Sequence, residues 1–365
     1  MKKAIVLLAI FLILFPPLIS VDGISGNQDQ KNKLLSDKIA KQDPFYENDN
    51  GETFNFLPED INLEDDAFHG SDNLHNTEWW YFDAAFADGF SVQLSIRVIE
   101  VLDRSLIFTG LNLYKDGNII SANEKMYFEK SFFASRNMPL VQINGKQVMM
   151  GSVDESTGNW IYNIDYALND VSIDLRFEGV TKGWKGLTPG IGWWAVVLPR
   201  ANVYGTLKIN NVEFDVAGVG YHDHNWEVKA FAGINFGWFW GKINSESYTI
   251  TWADVRKTRI SSELFMVINK KNGDYINIPA QKIEVFIEDY KLNNGKLIPT
   301  SFIITANYQD INLYVKMQVF DTHHIRKFGI VNYWRYHVKC TGSILIDSQI
   351  EEINQINMAE FMRFR

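Results

Sequence analysis

The sequence predicts an all-β chain built as two antiparallel barrel or sandwich halves, and three observations predict it. From about Trp79 onward, alternating apolar and polar runs follow one another, as in Ser91-Val92-Gln93-Leu94-Ser95-Ile96-Arg97-Val98 and Ser301-Phe302-Ile303-Ile304-Thr305. That is the period-2 pattern of strands with one buried face. Turn pairs sit between such runs at Asp88-Gly89, Asp116-Gly117, Asn144-Gly145 and Asn294-Gly295, where residues tolerant of positive φ close tight hairpins. Sustained helical periodicity is scarce, and short strands at this spacing build barrels or sandwiches from up-and-down neighbours. Length sets the number of halves, because 365 residues exceed what one hydrophobic core usually serves.

At the N-terminus, Met1-Lys2-Lys3 precede an apolar run from Ala4 to Ile19 that Pro16 and Pro17 interrupt. Residues 1–23 read as an export signal or membrane anchor, which places the protein outside the cytoplasmic membrane, secreted or tethered close to it. Residues 24–62 are polar and acidic and read as a linker. The first β domain is expected over 63–228 and the second over 229–365. An internal echo supports this division. Trp80-Tyr81-Phe82 followed by Asp88-Gly89-Phe90-Ser91-Val92 can be laid without gaps on Trp238-Phe239-Trp240 followed by Glu246-Ser247-Tyr248-Thr249-Ile250. The closing segment Gly205-Thr206-Leu207-Lys208-Ile209-Asn210 likewise parallels Gly342-Ser343-Ile344-Leu345-Ile346-Asp347. Cys340 is the only cysteine, so cohesion rests on core burial and not on disulfides.

Composition narrows the function classes. With 46% hydrophobic and 22% charged residues, neither disorder nor a coiled coil fits. The 11 Trp, 15 Tyr and 25 Phe favour strands and a greasy pocket for a hydrophobic small molecule. Net charge is −9 and no Lys/Arg stripe tracks phosphates, which argues against nucleic acid as a partner. No Gly-x-Ser-x-Gly elbow and no phosphate loop occurs.

Two stretches concentrate polar groups among aromatics: His75-Asn76-Thr77-Glu78-Trp79-Trp80-Tyr81, and Gly218 through Trp226. On a strand, His222, His224 and Trp226 share one face while Tyr221, Asp223 and Asn225 share the other. Trp252 and Asp254 also share a face, so adjacent strands would set His224, Trp226, Trp252 and Asp254 around one space. Trp80, Tyr81, Tyr221, Trp238, Trp240 and Tyr248 are the expected ligand contacts. Glu78, Trp79, His222, Asp223 and Asn225 are expected in structural roles, Glu78 by tying backbone amides. The His-x-His pair admits a metal-dependent hydrolase as a weaker alternative. No third imidazole is motif-spaced, however, and His323-His324 point to opposite faces of a strand, so no metal site is expected.

Over residues 65 to 365 the pairing of Asn76-Thr77-Glu78-Trp79-Trp80-Tyr81 with Gly218–Trp226 resembles the carotenoid 1,2-hydratase and AttH-like family, which includes fungal Diels-Alderases and kievitone hydratases. The resemblance implies two lipocalin-like, calycin-type β units with the ligand site in a barrel or at their junction, and hydratases that need no cofactor. It also implies a His-x-Trp, matched by His224-Asn225-Trp226, and a downstream Tyr-x-Asp, which falls on Trp252-Ala253-Asp254 with indole in place of phenol. Glu227 stands where many relatives have glycine. On that pattern a buried, protonated Asp254 would protonate an isoprenoid or polyene. Trp226 and Trp252 would stabilise the cation, and His224 would assist. The expected activity is therefore a cofactor-independent lyase, by hydration or cyclisation. The alternative is an extracytoplasmic carrier that binds a lipid in the same cavity without turnover.

Overall fold

The computed structural model describes residues 46–47, 51–70, 75–101, 104–188, 192–229, 237–256, 262–271, 273–327 and 331–364. The expected export segment, residues 1–23, lies outside them. The described chain is nearly all antiparallel strand, with a few 3₁₀ turns and no α-helix among the described residues.

The first sheet is a meander that almost closes on itself. His75–Phe86, Phe90–Val101, Arg104–Lys115 and Asn118–Phe128 pair in sequence order, and so do Phe132–Ala134, Leu140–Ile143, Lys146–Val153, Trp160–Leu168, Val171–Gly179, Gly192–Ile209 and Val212–Lys229. The last strand returns beside the first, with His224 opposite Trp80. The ring is open between Asn118–Phe128 and Phe132–Ala134, where the 3₁₀ turn Glu129–Ser131 carries the chain. The second sheet repeats the plan. Its first strand, Gly237–Asn244, pairs with its last, Gln349–Phe364, and the 3₁₀ turn Ala280–Lys282 stands at the corresponding opening. Sheet membership changes between Lys229 and Gly237.

Local chemistry accounts for these elements. Asp116 and Gly117, Asn144 and Gly145, and Asn294 and Gly295 all adopt positive φ, the geometry that lets two residues reverse a twisted hairpin. Gly205 and Gly342, partners in the closing echo, have φ of 146° and 155°. A Cβ there would stand 2.0 Å from the carbonyl oxygen of Asp174 or Tyr314 on the adjacent strand, so both halves use glycine for the same close approach. The opening echo is one residue out of phase. Trp80 and Phe82 face the first core, whereas Trp238 and Trp240, laid on them, face the junction, and a one-residue slip exchanges faces.

Three cores result. One fills the first half around Phe82, Tyr162 and Phe177, and one fills the second around Phe239, Trp252 and Phe302. The third, with Phe56, Tyr81, Trp184, Tyr221, Trp240 and Phe265, lies between the halves. Phe56 corrects the reading of residues 24–62 as a linker. Its ring is buried against Trp184 and Phe265, and Glu59–Asp60 pair with the strand Trp184–Thr188, so the end of that segment is part of the fold. A polar seam continues the junction: Asp83 pairs with Lys242, Arg335 with Glu360 and Gln93, and Ser91 with His337.

Candidate active site at the junction

The strand Val212–Lys229 has two chemically rich faces, and alternation separates them. His222 and His224 point into the first core, where Asp66 and Glu78 enclose them. His222 Nε2 lies 3.0 Å from Asp66 Oδ2, and its Nδ1 lies 2.9 Å from the Tyr81 carbonyl. His224 Nε2 lies 3.0 Å from Glu78 Oε1, while its Nδ1 sits 3.2 Å from Asp66 Oδ1 without hydrogen-bond alignment. Burial alone would lower the His224 imidazole, but the two carboxylates outweigh it and raise it to about 9. Burial alone would raise Asp66, but His222 and His224 hold that carboxyl well below its ordinary range. Glu78 also accepts the backbone N–H groups of His69 and Gly70. The cluster therefore ties the segment that follows Asn62 to the barrel, and its polar atoms face one another.

This placement corrects the expected catalytic group. His224 is stacked on Trp80 at 4.6 Å and Trp226 on His69 at 4.1 Å, both on the inner side of the first half. Trp252 belongs to the second core, against Phe239 and Phe302. Asp254, two residues on, shares that inward face, with Arg256 Nε 3.5 Å from its Oδ2. His224 and Asp254 thus point into different halves with the junction between them, and the shared chamber does not form. Trp80 is likewise a core residue, donating Nε1–H to the Asp66 carbonyl. Tyr248 packs on the second core beside a hairpin, away from the junction.

The opposite face of the strand looks into an open pocket of about 110 Å³. Trp79, Tyr81, Trp193, Trp194, Asp223 and Asn225 line it from the first half, and Trp238, Trp240, Ala253, Val255, Phe265 and Glu360 from the second. Trp79, Asp223 and Asn225, expected to be structural, therefore stand at the cavity with Tyr81, Trp238 and Trp240. Tyr221 backs it, its hydroxyl donating to Asp223 Oδ2 at 2.8 Å. Trp194 Nε1–H reaches the same oxygen at 3.3 Å, and Asn225 Nδ2 donates to Oδ1 at 3.2 Å.

The electrostatics of this face differ from those of the histidine face. Asp223 has no cation in direct contact, so burial pushes its carboxyl up to about 7 against the opposing hydrogen bond from Tyr221. Such a group can both give and take a proton near neutral pH. Glu360, the other acid of the pocket, is held by Arg335 Nη2 at 3.0 Å. Beneath the pocket, burial pushes Asp83 up and Lys242 down, and each restrains the other. Asp66, Trp193, Trp194 and Glu360 were not singled out from sequence. Asp66 follows the acidic run Glu64-Asp65 just past the stretch read as a linker, where nothing in the pattern marks it, and only the alternation that set Tyr221, Asp223 and Asn225 together pointed to the open face.

No family model matches the chain, and no curated protein does. Solved structures share its fold. A protein assigned as an AttH from Nitrosomonas europaea superposes with a TM-score of 0.62 at 13% identity, over 84% of this chain and 98% of that one. CghA with Sch210972 gives 0.58 at 10% identity, over 80% and 88%. Kievitone hydratase from Nectria haematococca gives 0.51 at 13%, over 79% and 88%. What these structures share with this chain is the fold, and their names fall within the group that the Asn76–Tyr81 and Gly218–Trp226 segments resemble.

Proposed function

We propose that this is an exported, cofactor-independent catalyst that hydrates or cyclises a hydrophobic, polyene-like small molecule at the junction of its halves, with Asp223 as the proton donor. The observation that carries the reading is a carboxyl poised near pH 7 in a cavity walled by five indoles. A hydratase on the same fold and the Lys2-Lys3 start followed by an apolar run support the class of reaction and the export.

The chemistry follows from those groups. The O–H bond of protonated Asp223 breaks as an alkene's π pair forms a new C–H bond, leaving a carbocation and the Asp223 carboxylate. Indole faces stabilise a desolvated cation by roughly 2 kcal/mol or more, and a conjugated substrate spreads the charge further. In hydration, water supplies the lone pair for a C–O bond and its surplus proton returns to Asp223. In cyclisation, a second alkene of the same molecule supplies the pair for a C–C bond, and loss of a neighbouring proton to Asp223 restores a double bond. Tyr221 and Asn225 hold the carboxyl in place through both steps.

A panel of acyclic isoprenoids and conjugated polyenes, incubated with the protein in ¹⁸O-labelled water and followed by mass spectrometry, tests this. Hydration adds one labelled water and cyclisation gives an isomer of unchanged mass. The expected result is one of the two for at least one compound, lost in Asp223→Asn. Tight binding with no product in either protein would favour the carrier reading, to which the apolar pocket lends itself. Absence of both binding and product would contradict both readings.

A further inference from the structure

The junction contains a second cleft beside the tryptophan pocket, and its charge is not balanced. Along Phe90–Val101, alternate residues face the second half: Ser91 meets His337 and Gln93 meets Arg335. Arg97 continues that row. It stands opposite Trp79 in the ladder, with its guanidinium 5.3 Å from the indole centroid. Trp79 lines the pocket, and Arg97 lines an adjoining cleft of about 160 Å³ with Ser95, Glu124 and Arg326.

Other cations set into the seam have carboxylates, Lys242 in Asp83 and Arg335 in Glu360. Arg97 makes no ion pair or hydrogen bond among the described residues. Its fixed neighbour is the Trp79 face, which holds a guanidinium without neutralising it. Glu124 and Arg326 carry opposite signs in the same cleft, so their formal charges cancel and Arg97 sets the net charge. Burial pushes Arg97 below its ordinary value, outweighing the opposing pull of Glu124 and Glu360, neither of which is in direct contact with it. A planar guanidinium with free N–H groups matches a carboxylate in two-point contact.

We propose that Arg97 binds a carboxylate on the substrate, so that pocket and cleft together take an amphiphile whose apolar body lies among the tryptophans and whose acid group lies about one indole away. The proposal rests on the pocket being the hydrophobe site, and it narrows the substrate class to unsaturated or cyclic carboxylic acids.

The test uses the full chain and two probes with one ring system, 2-naphthylacetate and its methyl ester, titrated calorimetrically at pH 7.5. Wild type should bind the acid at least about tenfold more tightly than the ester, the scale of one charge-assisted bidentate contact. Arg97→Gln should bring the acid to the ester's affinity and leave the ester unchanged. Arg97→Lys, which keeps the charge and loses the fork, should fall between and decides the matter if the glutamine variant does not fold. Equal binding of acid and ester by wild type, or a preference that survives in Arg97→Gln, overturns the proposal and leaves the pocket standing. Trp238→Ala should weaken both probes alike. If it changes neither while the acid still depends on Arg97, the pocket reading fails and the anion site stands. If wild type binds neither probe, both are overturned.

Discussion

Asp223 and His224 are neighbours in one strand, and the two faces they serve behave in opposite ways. On the inner face, Asp66, Glu78, His222 and His224 meet ring nitrogen to carboxylate at 3.0 to 3.2 Å, so each charge has its counter-charge and the cluster holds structure together. On the junction face, Asp223 is also buried but meets only neutral donors, Tyr221, Trp194 and Asn225. Its proton affinity therefore rises to a working range. Density of ionisable groups does not by itself mark a reactive site. Incomplete pairing beside free space does.

The comparison can be broken by substitutions of opposite sign. The largest expected effect is at the inner cluster. Asp66→Asn or His224→Ala leaves a buried charge without its partner and should lower unfolding stability by about 3–5 kcal/mol at pH 7 in urea titrations. A loss below about 1 kcal/mol would mean the cluster is not ionised.

Asp223→Asn should do the reverse. Each tenfold change in proton affinity corresponds to about 1.4 kcal/mol, so carrying this acid from 3.8 to about 7 makes its ionised form cost up to about 4 kcal/mol. The folded chain binds that proton more tightly than the unfolded chain. The penalty is therefore absent below pH 3.8, grows as pH rises, and is complete above about 7. The variant should gain about 2–4 kcal/mol at pH 8 and almost nothing at pH 4. His224 adds to the same trend, because stability from its raised imidazole is fully present below 6.5 and is lost as pH rises through about 9. Wild-type stability should accordingly decline from about pH 4 to 9, through Asp223 up to about 7 and through His224 from 6.5 upward, and thermal melts across that range would show it. A flat profile would mean that neither group titrates as its surroundings dictate.

Smaller effects sharpen the picture. Trp238→Ala, which removes one pocket wall, should weaken binding of an apolar ring by about 1–2 kcal/mol without moving the melting temperature by more than a few degrees. Glu227 adopts φ of 52° at the bulge between Asn225 and Val228, a conformation that glycine takes without strain. Glu227→Gly should gain about 0.5 kcal/mol, and a loss of that size would mean the Glu227 side chain makes a contact of its own.

Much of this architecture is legible in the sequence, because strand alternation and positive-φ turn pairs are local signals. Asp116-Gly117 and Asn144-Gly145 turn where the pattern places them. The closing echo also carries over, since Gly205 and Gly342 answer the same steric demand. The site was only half legible. Alternation shows that Tyr221, Asp223 and Asn225 share a face, and that His222, His224 and Trp226 share the other, but it does not show which face is already full. That depends on Asp66, which lies 156 positions from His222, and on rings such as Phe82 stacked at 3.7 Å on the His222 imidazole. Trp252-Ala253-Asp254 misled for a related reason: the pleat sends Trp252 and Asp254 into the second half and only Ala253 to the pocket.

The assignment of the acid is tested most directly by turnover of Asp223→Asn and Asp254→Asn, measured side by side on the compound found in labelled water. The account predicts a fall of about 10²–10⁴-fold in kcat for Asp223→Asn, with binding retained, and a change of no more than about twofold for Asp254→Asn. Full activity without the carboxyl at 223, or its loss only without the one at 254, would contradict it.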